Sequence, residues 1–532
     1  MTRLLLTSLL CCLLSACAGV PPSAPDHVGR AVAAMGGAEA LASIKSLQFK
    51  AVMRQWEPEQ SYVAGGEMKF AAESRFEVLV DVTADAARID WVRDLVYPTT
   101  RSFRFSEIVT PQAGYLAGID SNTRVKQNLA ANPPGHAMSG LRLVATQREL
   151  KRASPLLLLE MHNNRQRVTP RTDVVINEVR YPAVDVRIGE WLFTVLFDAV
   201  TGLPSRVRTL DYDNVNGDSS YDLVFADWRQ YGTVRLPAAR QYQFNGKTVG
   251  DIRVTELALD VPVDAARFAI PPAMLATAAR PAAGRLHYQW ALRRQIIGTL
   301  IDSDNSAYDE QAVASLKFTE LAPGVQHQAA GSAHSLIVEM RDHLIVFDAP
   351  TTDWQSNWTI KAAQEKYPGK PIRYLVLTHH HMDHAGGLRA YAAAGATLVV
   401  GEGNGAHFRK LLAAPATLNP DLPATDLSRT PVMEVDGKRI FSDGRREVWA
   451  IVAETNTHAK GMMIGYVSDA RIGWVTDLWA PGRDVIKDSL NATQLAVVNT
   501  VQKAGISPLR FAGGHGGVAS YPELAAKLRA AQ

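Results

Sequence analysis

A cluster of histidines and one aspartate, directly after a strand of the buried type, constrains the fold of this chain more than any other feature. The apolar run Tyr374–Leu377 predicts the strand, and the residues that follow, 378–387, read THHHMDHAGG. Loops at strand ends are where rigid scaffolds present chemistry, and residues two apart in an extended segment point the same way. His379 and His381 can therefore face one ion, and the next two candidates, after the chain turns, can face a second. These four candidate ligands are His379, His381, Asp383 and His384. A chance run of solvated histidines is the alternative.

The first residues of the chain predict export. Met1-Thr2-Arg3 supplies one positive charge, and the apolar run Leu4–Leu14 is too short to span a bilayer but fits the core of a secretory signal. Leu14-Ser15-Ala16-Cys17 resembles a bacterial lipobox, which implies cleavage before Cys17 and lipidation of that residue. Acyl chains would then attach the protein to a membrane. Because Ala18 follows, the resemblance implies the outer membrane, facing the periplasm. An ordinary signal peptide, cleaved nearby, is the alternative.

The positions of the cysteines limit the chemistry of the exported protein. All three, Cys11, Cys12 and Cys17, lie in the signal region. The mature chain therefore has no disulfide and no thiolate to serve as a nucleophile or a metal ligand. Any catalytic metal must be held by histidine and carboxylate. The formal net charge of +3 comes without a basic tract, so no nucleic-acid partner is expected and no strongly anionic substrate is implied.

The length of 532 residues predicts two domains or a little more. Short alternating or apolar runs between Ser46 and Pro272 predict a long antiparallel sheet, which a helical interval at Ser139–His162 interrupts. Pro271-Pro272 and the alanine-rich sequence after it mark a boundary. Beyond it, strands alternate with helices and predict two sheets covered by helices. The predicted units are a signal peptide (1–17), a β-rich accessory domain (18–285), a linker or helix (286–316) and a catalytic domain (317–532).

The start of the accessory domain resembles a known family. Residues Met35–Leu41, with the strands after them, are similar to the N-terminal portion of periplasmic lipoprotein-carrier-like domains. Those domains are curved half-barrels that hold acyl chains, so the resemblance implies a half-barrel-like antiparallel sheet. A β-rich accessory domain without a ligand is the alternative.

The HxHxDH pattern at His379–His384 resembles the signature of the metallo-β-lactamase superfamily. The predicted fold class is α+β with two domains, and the resemblance, which covers about 200 residues, implies that the second domain is an αββα sandwich. It also implies a third histidine after a later strand, an acidic residue that ends another strand, and a last histidine near the C-terminus. The sequence has these in order, as His458, Asp477 and His515. Asp348 ends an earlier strand, where the family has a structural aspartate.

The same resemblance implies two Zn²⁺ ions and assigns their ligands. His379, His381 and His458 would bind the first ion. Asp383, His384 and His515 would bind the second, and Asp477 would bridge the two. Imidazole and carboxylate suit zinc, and two such cations about 3.5–4 Å apart convert a shared water into a hydroxide nucleophile near neutral pH. Asp383 is also the candidate catalytic residue, since it can orient that hydroxide.

The other histidines near the motif receive a different interpretation. His380 points away from its neighbours and is expected behind the ligands or in solvent, and His407 is expected on a loop or helix face. His334 and His343 flank a predicted hairpin and could neighbour the cleft. Four side chains close to ligands could line a pocket, although the two aromatic ones are equally compatible with the core: Asn456, Lys460, Tyr466 and Trp479.

The predicted function is hydrolysis of an ester, lactone, thioester or amide of a small molecule in the cell envelope. The cysteine-free mature chain excludes the β-lactamases that use a cysteine ligand, and Asp477 favours glyoxalase II- and lactonase-like relatives over those without a bridging carboxylate. His381 disfavours flavodiiron oxidoreductases, which have an acidic residue there. The alternatives are β-lactamase activity and an envelope lipid-binding lipoprotein whose metal domain is vestigial.

Overall fold

The computed structural model describes most of the chain. The described residues are 26–97, 100–118, 134–138, 140–276, 316–329, 333–419, 422, 426–483 and 491–530. The predicted signal peptide, Cys17 and the predicted helix near Leu286–Leu300 lie outside them. Among the helices that the structure describes, none is both long and apolar enough to cross a bilayer.

The N-terminal region forms one antiparallel sheet of 13 strands. The strands are β1 (Ser46–Glu57), β2 (Lys69–Asp81), β3 (Ala86–Leu95), β4 (Arg101–Val109), β5 (Gly114–Gly118), β6 (His136–Ala137), β7 (Val168–Ile176), β8 (Val179–Ile188), β9 (Trp191–Phe197), β10 (Pro204–Asp213), β11 (Gly217–Tyr231), β12 (Val234–Phe244) and β13 (Lys247–Leu259). Their order is β6-β5-β4-β3-β2-β1-β13-β12-β11-β10-β9-β8-β7, so the first strand pairs with both the second and the last. The predicted antiparallel, β-rich N-terminal region is confirmed.

Alternation of side chains explains why this sheet has one well-packed face. Along β1, Leu47, Phe49 and Ala51 are buried, because successive residues of a strand point to opposite faces. Aromatic rings of adjacent strands stack on the same face, with Phe76 and Trp91 at 4.7 Å between ring centroids. These inward side chains form the core of the domain.

The described part of the N-terminal region has five α-helices, of which the first four contribute residues to that core. They are α1 (His27–Ala34), α2 (Ala38–Ser43), α3 (Gly140–Ala153), α4 (Leu156–Asn163) and α5 (Pro272–Ala276). Asp26 begins α1 by accepting a hydrogen bond from the Gly29 amide at 2.8 Å. Gly36 and Gly37, both with positive φ, separate α1 from α2. The predicted helical interval at Ser139–His162 corresponds to α3 and α4.

The C-terminal region contains two further sheets. The seven-stranded sheet comprises β14 (Lys317–Ala322), β15 (Val325–Ala329), β16 (Ser335–Glu339), β17 (Leu344–Phe347), β18 (Ile372–Val376), β19 (Thr397–Gly401) and β20 (Val432–Val435). The six-stranded sheet comprises β21 (Lys438–Ser442), β22 (Glu447–Val452), β23 (Met463–Val467), β24 (Ile472–Val475), β25 (Arg510–Gly513) and β26 (Val518–Ser520). One buried cluster contains residues of both sheets, among them Phe347 and Trp474. The two sheets therefore share a core.

Helices pack on the other face of each of these sheets. They are α6 (Asp353–Lys366), α7 (Met382–Ala385), α8 (Leu388–Ala393), α9 (Gly405–Ala413), α10 (Asn491–Ala504) and α11 (Tyr521–Ala530). Residues of α6, α8 and α9 form a cluster with the seven-stranded sheet, and residues of α10 and α11 form one with the six-stranded sheet.

The turn between β10 and β11 connects the two regions. Val215, at this turn, is fully buried and belongs to the same cluster as Leu388 and Leu411 of the second region. The Arg389 guanidinium donates to the carbonyl oxygen of Asn214 at 3.0 Å. A valine of the first region therefore completes a core of the second.

Candidate metal centre

The histidine cluster lies where β18 runs into α7 and α8. Gly386 and Gly387 allow the short connection between these helices, because a Cβ atom at either position would collide with Thr351 O or Ser356 Oγ. The close packing fixes the backbone that carries the four clustered side chains. His379, His381 and His384 are buried.

One group of candidate ligands is formed by His379, His381, His458 and Asp477. His458 Nε2 lies 3.0 Å from His381 Nδ1 and 3.3 Å from His379 Nε2. Asp477 Oδ2 lies 3.0 Å from both His379 Nε2 and His458 Nε2. Three imidazole nitrogens and a carboxylate oxygen thus converge on one point.

The second group is formed by Asp383, His384, His515 and the same Asp477. His515 Nε2 lies 3.1 Å from His384 Nε2 and 3.1 Å from Asp383 Oδ2. Asp477 uses its other oxygen here as well, since Oδ1 is 3.0 Å from His515 Nε2 while Oδ2 is 3.2 Å from His384 Nε2. Asp477 is therefore the residue common to both groups.

The donor set fits divalent cations. Within each group the ligand atoms lie within 4.8 Å of one another. A neutral imidazole has one donor and one acceptor nitrogen, so several ring nitrogens that face each other cannot all be satisfied by hydrogen bonds among themselves. Nitrogen and carboxylate oxygen are the ligands that zinc accepts in catalytic sites. Each group could hold one ion.

Burial and charge set the protonation of the two groups differently. Burial lowers the pKa of His379 to about 4, which leaves the ring neutral and able to bind a metal at neutral pH. Burial also disfavours a charged His515, but Asp477 and Asp383 outweigh it and raise the pKa of His515 to about 9. Burial alone would raise the pKa of Asp477, yet the surrounding histidines hold it well below its usual range. A cation in the second group would therefore displace protons.

Asp348 contacts the segment that carries the histidine cluster and orients it. Its carboxylate accepts hydrogen bonds from the Thr378 amide at 2.8 Å and from Trp474 Nε1 at 3.0 Å, and its Oδ2 lies 3.6 Å from His384 Nδ1. Asp348 and Asp477 both adopt positive φ, 61° and 39°, where aspartate is one of the few tolerated residues besides glycine. The strand-end position predicted for Asp348 is confirmed.

Two buried histidines hold the loop that leads to His515. His327 Nε2 and His334 Nδ1 lie 3.0 and 3.1 Å from the carbonyl oxygen of Gly513. His334 thus neighbours the site, whereas His343 contacts Asp342 at 2.7 Å. His327 was not predicted from the sequence, because nothing local relates β15 to a loop near the C-terminus.

The loop between β1 and β2 (residues 58–68, the β1–β2 loop) reaches the metal centre from the first region. The carbonyl oxygen of Ser61 lies 2.9 Å from His380 Nε2, and the carbonyl oxygen of Tyr62 accepts from the Lys460 amide at 2.7 Å. The side chains of Tyr62 and Val63 are 42% and 49% exposed. This loop therefore adds a partly apolar wall beside the candidate ligands, which the sequence did not predict.

The remaining sequence predictions near the site have clear outcomes. His380 is fully buried behind the ligands, so the solvent-exposed alternative is wrong. His407 lies on α9, as expected, with its ring 6.0 Å from that of His380. Tyr466 and Trp479 belong to the buried cluster beside α10 and are core residues. Asn456 accepts from the His458 amide at 2.9 Å and so supports a ligand.

Comparison with known proteins agrees with this geometry. Residues 330–461 match the family model described as the metallo-beta-lactamase superfamily. The match includes five of the seven candidate ligands, and Asp477 and His515 follow it. Residues 330–461 are therefore similar to the metallo-β-lactamase superfamily. No curated protein sequence matches the chain.

Three solved structures illustrate the similarity. A stereoselective inverting sec-alkylsulfatase from Pseudomonas sp. is 17% identical with a TM-score of 0.31, and the alignment covers 43% of each chain. A metallo-beta-lactamase from Cronobacter sakazakii, a HARLDQ-motif mutant, is 20% identical over 41% of this chain and 95% of its own, with a TM-score of 0.29. A metallo-beta-lactamase from Pontibacter korlensis is 18% identical over 40% of this chain and 98% of its own, with a TM-score of 0.30. This chain thus spans less than half of the alkylsulfatase.

Proposed function

We propose that the protein is a dinuclear zinc hydrolase that cleaves an ester, lactone, thioester or amide bond of a small molecule. The observation that carries the proposal is the position of Asp477, whose two carboxylate oxygens face both ligand groups. A single carboxylate shared by two sets of three ligands is the arrangement that a pair of adjacent cations requires. Two bound zinc ions would supply an activated water and Lewis-acid polarisation of the scissile bond.

The chain's own residues would prepare the site for that chemistry. Burial would raise the pKa of Asp383, but His384 and His515 outweigh it and keep the carboxylate ionised at neutral pH. Asp383 is therefore an acceptor, fixed by His515, and we assign it the role of orienting the nucleophile. His379 and His381 are buried, so they need little reorganisation to bind.

The layered core of the second region supports an αββα sandwich as its architecture, and the single continuous N-terminal sheet supports a half-barrel-like form. The lipobox-like sequence at Cys17 supports lipid anchoring in the cell envelope, with the protein facing the periplasm. Replacing Cys17 with alanine should then release the protein from membranes. Unchanged fractionation of Cys17→Ala would contradict the anchor and leave the hydrolase proposal untouched.

A binding protein with a vestigial metal domain is the competing proposal. Both ligand groups keep four candidate ligands that converge, which argues for a working site. Metal content separates the two proposals, since the hydrolase should retain about two zinc ions per chain, as two-metal sites do. A protein that retains no zinc would support the binding protein.

The direct test uses protein without residues 1–17, loaded with zinc, and a substrate panel of lactones, thioesters, aryl esters and a chromogenic cephalosporin. His381→Ala and Asp477→Ala should each abolish hydrolysis while the circular dichroism spectrum is retained. His162→Ala, a partly exposed histidine of α4, serves as the matched control and should keep wild-type activity. Full activity in both site variants would overturn the proposal, and cleavage of the cephalosporin alone would reassign the substrate class.

A further inference from the structure

The two groups of candidate ligands are held in place by different parts of the chain. The loop that carries His515 is held from within the second region, because His327 and His334 place ring nitrogens 3.0 and 3.1 Å from a carbonyl oxygen at the start of that loop. Asp348, also of the second region, has its Oδ2 3.6 Å from His384 Nδ1. Supports of the second group therefore come from the same region as its ligands.

The first group has a support from the other region, at the histidine motif. His380 lies between the candidate ligands His379 and His381 and is fully buried. Its Nε2 lies 2.9 Å from the carbonyl oxygen of Ser61 in the β1–β2 loop, and it donates this hydrogen bond because a carbonyl oxygen only accepts. The ring of His380 is thus fixed on the side away from the ligands, while its backbone continues on both sides into ligands of the first group.

The next residue of the loop contacts the other segment of the first group. The Lys460 amide, two residues after His458, donates to the carbonyl oxygen of Tyr62 at 2.7 Å. The carbonyl oxygen of Lys460 accepts from Asn404 Nδ2 at 3.0 Å. Both backbone groups of Lys460 are therefore held, one from each region. Two successive carbonyl oxygens of the β1–β2 loop thus hold the two segments that supply the three histidines of the first group.

The β1–β2 loop is itself braced. The carbonyl oxygen of Val63 accepts from Ser61 Oγ at 2.6 Å and from the Gly66 amide at 2.9 Å. The side-chain amide of Asn216 donates to the carboxylate of Glu59, which ties the loop to the β10–β11 turn. That turn contributes a buried valine to a core of the second region. The loop is therefore fixed against both ligand segments, as a partner that orients metal ligands must be.

We propose that the β1–β2 loop is a positioning element for one ion only. It raises the zinc affinity of the first group, whereas the affinity of the second group is set within the second region. The inference rests on the proposed dinuclear zinc function. Partners that orient metal ligands change metal affinity about 10–100-fold, so loss of the contacts made by the loop should weaken one ion by such a factor and leave the other in place.

The first test changes the residue that receives the loop. Zinc titrations of the protein without residues 1–17, in competition with a chromophoric chelator, measure the two affinities. His380→Phe keeps a buried ring without the donor and should lower one affinity about 10–100-fold. His380→Gln has an amide N–H in nearly the place of Nε2 and should recover most of that loss, which a role in packing alone would not produce.

The second test moves the loop and leaves the motif unchanged. Gly65 has a φ of +70°, and a Cβ atom there would lie 3.0 Å from His407 Nδ1. Gly65→Ala should therefore displace the loop and weaken the same ion, by a smaller factor than His380→Phe because the donor remains. Gly246→Ala is the matched control, since Gly246 has a φ of +80° and no atom within 4 Å of its Cβ position. It should keep both wild-type affinities.

Double variants identify which ion depends on the loop. His458→Ala removes a ligand of the first group, so adding His380→Phe should change the affinity for the remaining ion by no more than about twofold. His515→Ala removes a ligand of the second group, so adding His380→Phe should still weaken the remaining ion about 10–100-fold.

Three outcomes would overturn the proposal. One is a folded His380→Phe or Gly65→Ala that keeps both wild-type affinities. Another is an equal loss in the His458→Ala and His515→Ala backgrounds, which would mean that the loop supports the whole centre. Absence of zinc from the wild type would refute the proposed function itself, and this inference with it, so the two failures are distinguishable.

Discussion

Replacement of Tyr212 by phenylalanine tests how the two regions are held together. The Tyr212 hydroxyl donates a hydrogen bond to the buried carboxylate of Asp353, at the start of α6. The same carboxylate accepts from the Ala390 amide at 3.1 Å and from Asn419 Nδ2 at 3.3 Å. Phenylalanine keeps the ring and removes only the donor, so the change isolates one hydrogen bond between the two regions.

The size of the effect depends on the charge of Asp353. Burial raises the pKa of Asp353 from 3.8 to about 6, even though Arg389 and the Tyr212 hydroxyl lower it. The folded protein therefore binds this proton more tightly than the unfolded chain does, and this group's contribution to the unfolding free energy falls as pH rises from about 4 to 6. Tyr212→Phe removes one group that lowers the pKa, so it extends this loss to higher pH. We expect about 0.5–1.5 kcal/mol of destabilisation when Asp353 is protonated and about 1.5–3 kcal/mol when it is ionised.

Urea unfolding of metal-free protein at pH 5 and pH 8, followed by tryptophan fluorescence, measures both values. Comparing variant and wild type at the same pH cancels the titration of the candidate ligand histidines. Tyr374→Phe, at a partly buried tyrosine whose ring lies 4.7 Å from that of Phe441, is the matched control and should change stability by less than about 0.5 kcal/mol at either pH. A Tyr212→Phe effect that is equal at both pH values, or larger at pH 5, would refute the reasoning.

Three further results are expected. Asp348→Asn should lower zinc affinity about 10–100-fold, as removal of a residue that orients a ligand does, and competition with a chromophoric chelator measures the affinity. Because asparagine tolerates the same positive φ, an unchanged affinity would mean that Asp348 does not orient His384. Tyr62→Ala should raise KM by up to about tenfold, or ~1.4 kcal/mol, with kcat nearly constant, because the loop would bind the substrate equally well in the ground state and in the transition state. A fall in kcat at constant KM would instead mean that Tyr62 acts in the chemical step. Zinc at about 100 times its Kd should raise the unfolding free energy of the wild type by about 2.7 kcal/mol, and thermal unfolding of Asp477→Ala should show a much smaller rise; equal rises would place the ions elsewhere.

Sequence patterns predicted the parts of the site that depend on local geometry. His379 and His381 fall in the same ligand group, as residues two apart in an extended segment should, and Asp383 and His384 fall in the other. The downstream ligands came from the order of residues in a family pattern, and the structure brings them to the same place. Likewise the helical interval predicted at Ser139–His162 corresponds to α3 and α4.

The parts that depend on long-range packing could not be predicted in this way. Ser61 and His380 are 319 residues apart, and their contact exists only because the first region docks against the second. The pairing of β1 with β13, strands that lie about 200 residues apart in the chain, is also set by long-range packing, since neither strand has a local feature that selects its partner. Short strands such as Val432–Val435 contain too few residues to show a period.

The buried valine at the β10–β11 turn limits how either region can be removed or replaced. Val215 occupies the interior of the second region although it belongs to the first in sequence. A fragment that starts at residue 317 would expose the apolar surface that Val215 covers, and a graft from a relative would need a turn of matching shape. Substitutions near Val215 and Leu388 must therefore be compatible with each other, although the two residues lie in different regions.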